Sequence, residues 1–228
     1  MKPPPTRLAA LLLAGVGYGL IPLTTAAPTI QDVLLDLAGG RATAALAKAE
    51  ARLAADPSEA KAHEARGRAL HALGRYDEAV EAYFKALEID PKLDSAHFYL
   101  GEAAFAQRYW PEAIEFYRVH AAKTKGARRT VLKLVYCHIA NGNLNEAGQW
   151  LACLDPFDDI FPGYYFGKAA FAQAMGKTDE PAKLLQQART LYGNAIANEF
   201  EIEMLHILKK ETGPTRDPAR TPNNAPQP

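Results

Sequence analysis

Small and apolar residues recur along this chain on a grid with a spacing of 34 positions. Glycines and alanines mark this grid most clearly: Gly40, Gly74, Gly142 and Gly176, and Ala45, Ala79, Ala113 and Ala147. Two tyrosines and two prolines share the interval: Tyr83 and Tyr117, and Pro57 and Pro91. A repeat of this length is typical of a helix–turn–helix unit that stacks into an all-α solenoid. Such a fold usually offers a long wall for another protein rather than a catalytic pocket.

The clearest unit spans residues 60–93. The pattern predicts a first helix from about Glu59 to Leu73, a turn at Gly74-Arg75 and a second helix from Tyr76 to Ile89. Asp90-Pro91 closes the unit, because proline cannot continue a helix.

The side chains of this unit resemble the tetratricopeptide repeat pattern. The matching small, aromatic and proline positions are Gly67, Ala79, Tyr83, Ala86 and Pro91. The stretch GRYDEA at 74–79 also resembles the family's inter-helix turn. With divergence, the resemblance covers about residues 28–210. It implies an all-α fold, a right-handed α-solenoid of helix-turn-helix repeats with a C-terminal capping helix, and work in protein–protein interaction.

The grid and the resemblance together divide the chain into five parts. The predicted parts are a signal peptide at 1–26, a degenerate first repeat at 27–59, four tetratricopeptide-like repeats at 60–195, a capping helix at 196–211 and a disordered Pro-rich tail at 212–228.

The N-terminus has the order of a secretory signal peptide. Lys2 and Arg7 precede an apolar run from Leu8 to Ile21, and small residues follow up to Ala27. The run is shorter than the roughly 20 residues that a membrane-spanning helix needs. We therefore expect cleavage after Ala26 and a periplasmic or secreted mature protein with no membrane span. An uncleaved anchor in the inner membrane and a cytosolic chain are the alternatives.

The resemblance implies a concave face lined by the first helix of each repeat. The residues it places there are Glu64, Arg68, Phe98, Glu102, Phe105, Arg129, Tyr136 and Phe166. The four aromatic residues among them predict an aromatic groove for a partner peptide or protein. In the alternative, these rings pack against neighbouring repeats or the capping helix. The Lys and Asn positions of the family's carboxylate clamp are not matched.

A segment rich in aromatic residues, DPFDDIFPGYYF at 155–166, joins the third and fourth full repeats. It is expected either to form a lip of the groove or to close the seam between repeats with Phe157, Phe161 and Tyr165.

Charge and motifs argue against other function classes. The chain has 26 basic and 26 acidic residues, so it lacks the strongly basic character of a nucleic-acid binder. Neither serine, Ser58 or Ser95, lies in a GxSxG motif, and the six histidines make no familiar metal motif. No phosphate-binding or dinucleotide-binding glycine motif occurs. We expect no catalytic residues, no metal and no cofactor.

Cys137 and Cys153 are the two cysteines of the chain. If the chain is exported, they meet an oxidising compartment, and their positions on one predicted helical hairpin suggest a disulfide. In the alternative, both are buried thiols that act as small hydrophobic side chains.

These expectations favour an exported scaffold or adaptor that binds a protein or peptide on its concave face. Two alternatives stay open: a structural protein that self-associates, and a non-catalytic subunit of an envelope enzyme complex.

Overall fold

The computed structural model describes residues 27–125 and 127–209, which form eleven α-helices and no β-strand. In chain order they are α1 (Ile30–Ala38), α2 (Ala42–Ala55), α3 (Ala60–Ala72), α4 (Tyr76–Ile89), α5 (Asp94–Ala106), α6 (Trp110–Lys123), α7 (Arg128–Ala140), α8 (Leu144–Leu151), α9 (Gly163–Ala174), α10 (Asp179–Tyr192) and α11 (Asn194–Leu208). The predicted all-α fold class is confirmed. The predicted signal peptide at 1–26 and the tail at 212–228 lie outside the described residues.

Consecutive helices pack against each other along the chain and build a right-handed α-solenoid. First helices of successive pairs also touch, α1 with α3, α3 with α5 and α7 with α9. We call the surface made by α3, α5, α7 and α9 the first-helix wall. Buried side chains form two hydrophobic cores, one between α1 and α5 and one from α5 to α11.

Close contact between paired helices depends on glycine at one position of each of two repeats. A Cβ atom on Gly67 would lie 2.5 Å from a ring carbon of Tyr83, and one on Gly101 would lie 2.5 Å from a ring carbon of Tyr117. Both tyrosines are almost fully buried, so the rings have little room to move. The repeat pattern of glycine and tyrosine is therefore a packing requirement.

The turns inside the repeats explain the glycine grid. Gly74, which links α3 to α4, has φ +75°, and Gly40, Gly142 and Gly176 have φ of +70°, +81° and +76°. Glycine adopts this left-handed conformation without steric cost. At the remaining grid position the residue is Arg108, with φ +61°. A non-glycine residue in this region costs about 1–2 kcal/mol, so Arg108 calls for a compensating contact.

The last helix turns back along the solenoid. Gly193 both ends α10 and precedes α11, with φ 81° and ψ 159°. From there α11 packs against α10, α9 and α7. It begins close to its predicted start, and its path brings it onto the first-helix wall.

The aromatic segment at 155–166, which continues into α9, is only partly buried. Phe161 packs edge-on against Phe200 of α11, with ring centroids 5.4 Å apart, and Tyr165 is half-buried. Phe157 is 89% exposed, so the prediction that it closes the seam is wrong. The side chain of Asp155 accepts the main-chain N–H of Phe157 at 2.8 Å, and this turn holds residue 157 at the surface.

Candidate partner-binding wall

The N-terminal part of the first-helix wall presents two of the predicted residues, both half-buried. Glu64 of α3 accepts a hydrogen bond from the hydroxyl of Ser95 on α5. Arg68, one turn further along α3, places its guanidinium over the ring of Tyr99, 4.7 Å from the ring centroid. Both contacts link neighbouring repeats and keep a carboxylate and a guanidinium side by side on the wall. This end of the wall can offer charge of either sign to a partner.

The middle of the wall holds a buried ion cluster around Lys133 of α7. Its side chain is 2% exposed, and its ammonium lies 3.0 Å from Glu102 of α5 and 3.5 Å from Glu203 of α11. The same ammonium lies 4.1 Å from the ring centroid of Phe105. The hydroxyl of Tyr117 donates to Glu102 at 2.5 Å. A buried lysine is tolerated only when it is paired in this way.

The pKa of Glu102 reflects that cluster. Burial by itself raises the pKa of a carboxyl group, but the charge of Lys133 and the hydrogen bonds from Tyr117 and Lys133 outweigh burial. The net result is a pKa below the usual value, so Glu102 is ionised at neutral pH and balances Lys133.

Helix α11 lies on the C-terminal part of the wall and is held by an aromatic stack with charged neighbours. The ring of Phe200 stacks on Phe166 of α9, with centroids 5.5 Å apart and an interplanar angle of 28°. The guanidinium of Arg129 on α7 lies 5.4 Å from the Phe200 centroid. Arg129 also forms ion pairs with Glu203 at 2.5 Å and with Glu199 at 3.5 Å. The wall thus binds a helix that carries an aromatic ring flanked by carboxylates.

The C-terminal end of α11 is held by Arg108. Its guanidinium donates to the main-chain carbonyls of His206 at 2.9 Å and Lys209 at 3.0 Å. A cation at this end of a helix satisfies carbonyls that have no partner inside the helix and complements the helix dipole. This contact offsets the left-handed backbone of Arg108.

The ring of His206 is held among aromatic and charged groups. Its centroid lies 5.6 Å from that of Phe105 and 6.1 Å from that of Trp110. Burial lowers the pKa of His206, and the positive charge of Arg108 lowers it further. His206 is therefore neutral at pH 7 while α11 is docked.

The predicted aromatic residues do not form an open stripe. Phe105 and Phe166 pack against α11, and Tyr136 is 0% exposed. Burial raises the pKa of the Tyr136 hydroxyl, and the nearby Glu203 adds to that rise. Phe98 packs between α5 and α6, against Tyr117 at 5.8 Å and His120 at 5.4 Å. Phe105 and Phe166 therefore pack against the terminal helix, as the alternative predicted, whereas half-buried Phe98 packs against the second helix of its own repeat.

Three important residues of this region were not among those predicted. Arg108 and Lys133 hold α11 from the wall, and Phe200 holds it from the helix side. Position 108 carries a sequence signal, because arginine stands there on a grid that otherwise carries glycine. Lys133 carries none, since a lysine in a helix usually faces solvent.

The two cysteines are both free, so the predicted disulfide is absent from the structure. Cys137 is buried in α7, and burial raises the pKa of its thiol. Cys153 is exposed, and its sulfur donates to the carbonyl of Gln149 at 3.6 Å. Helix α8 ends at Leu151, two residues before Cys153, so Cys153 does not lie on the second helix of the predicted hairpin.

The described part of the chain lacks two further features. Among residues 27–125 and 127–209, no group of three or more His, Cys, Asp or Glu side chains is arranged to hold a metal ion. In the same residues, no helix combines the length and apolar character needed to cross a membrane.

Comparison with known families identifies the repeats. A family model described as TPR repeat matches residues 67–107, and one described as tetratricopeptide repeat matches residues 94–128. The chain contains tetratricopeptide repeats. In general such proteins are non-catalytic modules that bind protein or peptide partners. A comparison with curated proteins gave no match.

Several solved structures share the fold of this tetratricopeptide repeat protein. A thermophilic TPR protein of Thermus thermophilus is 18% identical, with 78% of this chain and 96% of that chain covered and a TM-score of 0.63. A tetratricopeptide repeat protein of Parabacteroides merdae is 15% identical, with coverages of 78% and 72% and a TM-score of 0.61. YrrB, described as a TPR protein with an unusual peptide-binding site, is 17% identical, with coverages of 76% and 90% and a TM-score of 0.56. At these identities the likeness concerns the fold.

Proposed function

We propose that this tetratricopeptide repeat protein is an exported adaptor that holds a partner protein or peptide on its first-helix wall. The observation that carries the proposal is the docking of α11. An amphipathic helix already lies on the C-terminal part of the wall, held by Phe166 and Arg129. A surface that fits one helix through an aromatic stack and ion pairs is suited to recognise a helical partner by the same contacts.

The N-terminal part of the wall supplies the contacts outside α11. There Glu64 and Arg68 give the bound partner its direction and register, because paired charges on a wall select against the reversed orientation. The chain itself carries out no catalysis in this proposal.

Export rests on the sequence of residues 1–26, in which Lys2 and Arg7 precede the apolar run and small residues follow it. The adaptor would therefore work in the periplasm or outside the cell, where it would hold together components of the envelope.

The test is crosslinking followed by affinity purification from the native envelope, with mass spectrometry of the captured proteins. Arg68→Glu reverses a charge on the wall, while Arg66→Glu makes the same change on another face of α3, where Arg66 faces Glu50 of α2 at 3.9 Å. We expect Arg68→Glu to lose a partner that the wild type and Arg66→Glu retain.

Equal capture by all three proteins would exclude the wall as the binding surface. Capture of the protein's own chain alone would make self-association the function. The N-terminal peptide of the purified protein would show whether residues 1–26 are removed.

A further inference from the structure

Helix α11 contacts the first-helix wall in the way that a separate helical ligand would, although it belongs to the same chain. Its docked face carries an apolar stripe spaced by three and four residues: Ala197, Phe200, Met204 and Ile207, all buried. Glu199 and Glu203 flank that stripe and meet Arg129 and Lys133. An apolar stripe with residues spaced by three and four is the pattern by which an amphipathic helix binds a groove.

The outer face of α11 differs from that of a simple cap. The terminal element of a solenoid normally turns a polar face to solvent. In α11, however, Ile202 is 69% exposed and Leu205 is 46% exposed. The helix therefore exposes apolar surface while it is docked, which a purely structural terminal helix does not require.

The contacts that hold α11 are suited to release. Its only covalent link to the solenoid among the described residues is through Gly193, whose φ of 81° and ψ of 159° are accessible to glycine. The apolar stripe that holds it is buried, and so is Lys133, which pairs with Glu203. The other ion pairs are partly exposed: Arg129 on the wall pairs with Glu203, and Arg189 of α10 pairs with Glu201. Arg189 also donates to Asn198 at 2.8 Å. Ion pairs of partly exposed side chains weaken with salt and exchange readily with another carboxylate.

We infer that a binding partner can displace α11 from the first-helix wall. The partner that replaces it is an amphipathic helix with an aromatic residue followed three positions later by a carboxylate, the arrangement of Phe200 and Glu203. This inference rests on the proposed function and adds the class of partner and its regulation. Because α11 is tethered, it competes at a high effective concentration, and only a partner with matching contacts displaces it.

The charges on the wall favour an acidic helix. Arg129 and Lys133 both direct their cationic groups at carboxylates of α11, and on the wall Glu102 pairs with Lys133. A helix with basic residues in place of Glu199 and Glu203 would face the cations of Arg129 and Lys133 and would be rejected.

The experiment uses a fluorescent peptide with the sequence of residues 194–209 and the full chain as the receptor. Phe200→Ala in the receptor weakens its own α11 but leaves the wall unchanged, and Ile202→Ala changes an exposed residue of the same helix. We expect the peptide to bind Phe200→Ala about tenfold or more tightly than the wild type, because less of the wall is occupied. Ile202→Ala should bind it like the wild type.

Two controls tie that binding to the wall. Adding Arg129→Glu to the Phe200→Ala receptor should abolish peptide binding, and so should replacing the residues that correspond to Phe200 and Glu203 in the peptide by Ala and Gln. Equal peptide affinity for the wild type, Phe200→Ala and Ile202→Ala would overturn the inference, and so would the absence of binding to all three.

Hydrogen exchange of the wild type gives a readout that needs no variant. Amides of α11 should exchange at least about tenfold faster than buried amides of α7, because α11 opens without global unfolding. Equal protection of the two helices would overturn the inference. Neither experiment involves Arg68, so capture of a partner at Arg68 can succeed or fail independently.

Discussion

Arg108, in the turn between α5 and α6, donates a hydrogen bond of 2.9 Å to the main-chain carbonyl of His206, 98 positions further along the chain. The turn that places the guanidinium there requires a positive φ, which the equivalent turns obtain with glycine. The left-handed backbone of Arg108 thus places its side chain at the end of α11. The glycine pattern is interrupted at the turn that contacts the terminal helix.

Replacing Arg108 by glycine separates these two effects. Arg108→Gly relieves the backbone but removes both hydrogen bonds to α11, and we expect it to lower the free energy of unfolding by about 1–2 kcal/mol relative to Lys125→Gly. Lys125 is the matched control, because it is exposed and also has a positive φ, +53°. Urea denaturation measures the free energy of unfolding of both variants. If Arg108→Gly is at least as stable as Lys125→Gly, the contact with α11 has no stabilising role.

Lys133 should be the most sensitive charged residue of the wall. Lys133→Met leaves Glu102 and Glu203 without their buried cation, and we expect a loss of about 3–5 kcal/mol at pH 7. The exposed Lys85→Met serves as the control and should change the stability by less than about 0.5 kcal/mol.

The sign of the pH dependence checks the same account. In the wild type the pKa of Glu102 is lowered, so its contribution is present above the unfolded value near 4.5 and is lost as the pH falls through the folded pKa. In Lys133→Met, burial is left without the opposing lysine, so the pKa of Glu102 should rise. The stability deficit of Lys133→Met should therefore be smaller at pH 5 than at pH 8. A deficit that does not change with pH would contradict the ion pair.

Docking of α11 should weaken in mild acid. His206 faces Arg108, Lys133 and Lys209, and burial together with these charges lowers its pKa below the unperturbed 6.5. Above pH 6.5 the ring is neutral whether α11 is docked or free, so this group does not change the free energy of docking. As the pH falls below 6.5, the free helix takes up a proton that the docked helix resists, and docking becomes less favourable.

The measurement is hydrogen exchange of α11 relative to α7 at pH 7.5 and pH 5.5, corrected for the intrinsic rate. The ratio should rise in acid for the wild type and change less for His206→Gln. The same rise in both proteins would assign the effect to another group.

The two thiols should react very differently. In the native protein a thiol reagent should modify Cys153 alone, because Cys137 is buried and burial raises its pKa. In denaturant both should react. The result that would contradict the structure is a native protein with no reactive thiol and with two thiols released by a reductant, since that would indicate a disulfide.

The sequence predicts the solenoid well because each feature of the repeat depends on residues that lie close together in the chain. Glycine opposite tyrosine, glycine in the turn and proline after the second helix each act within one repeat, and the predicted second helix at Tyr76–Ile89 has the bounds of α4.

The position of α11 could not be predicted in this way. It is decided by contacts between residues far apart in the chain, such as Phe166 with Phe200 and Arg129 with Glu203, which do not recur in other repeats. From its composition alone, this helix is predicted to cap the end of the array. Among the residues that hold α11, only Arg108 has an unusual position in the sequence, because it stands where the other repeats carry glycine.

Binding of a partner to the first-helix wall is tested by a photocrosslinking amino acid placed at single positions in the native cell. Position 68 lies on the first-helix wall, and position 119, where Val119 is partly exposed, lies on the second helix α6. We expect a crosslink to one partner protein from position 68 and none from position 119. The same crosslink from position 119, with none from position 68, would show that the partner binds elsewhere on the solenoid.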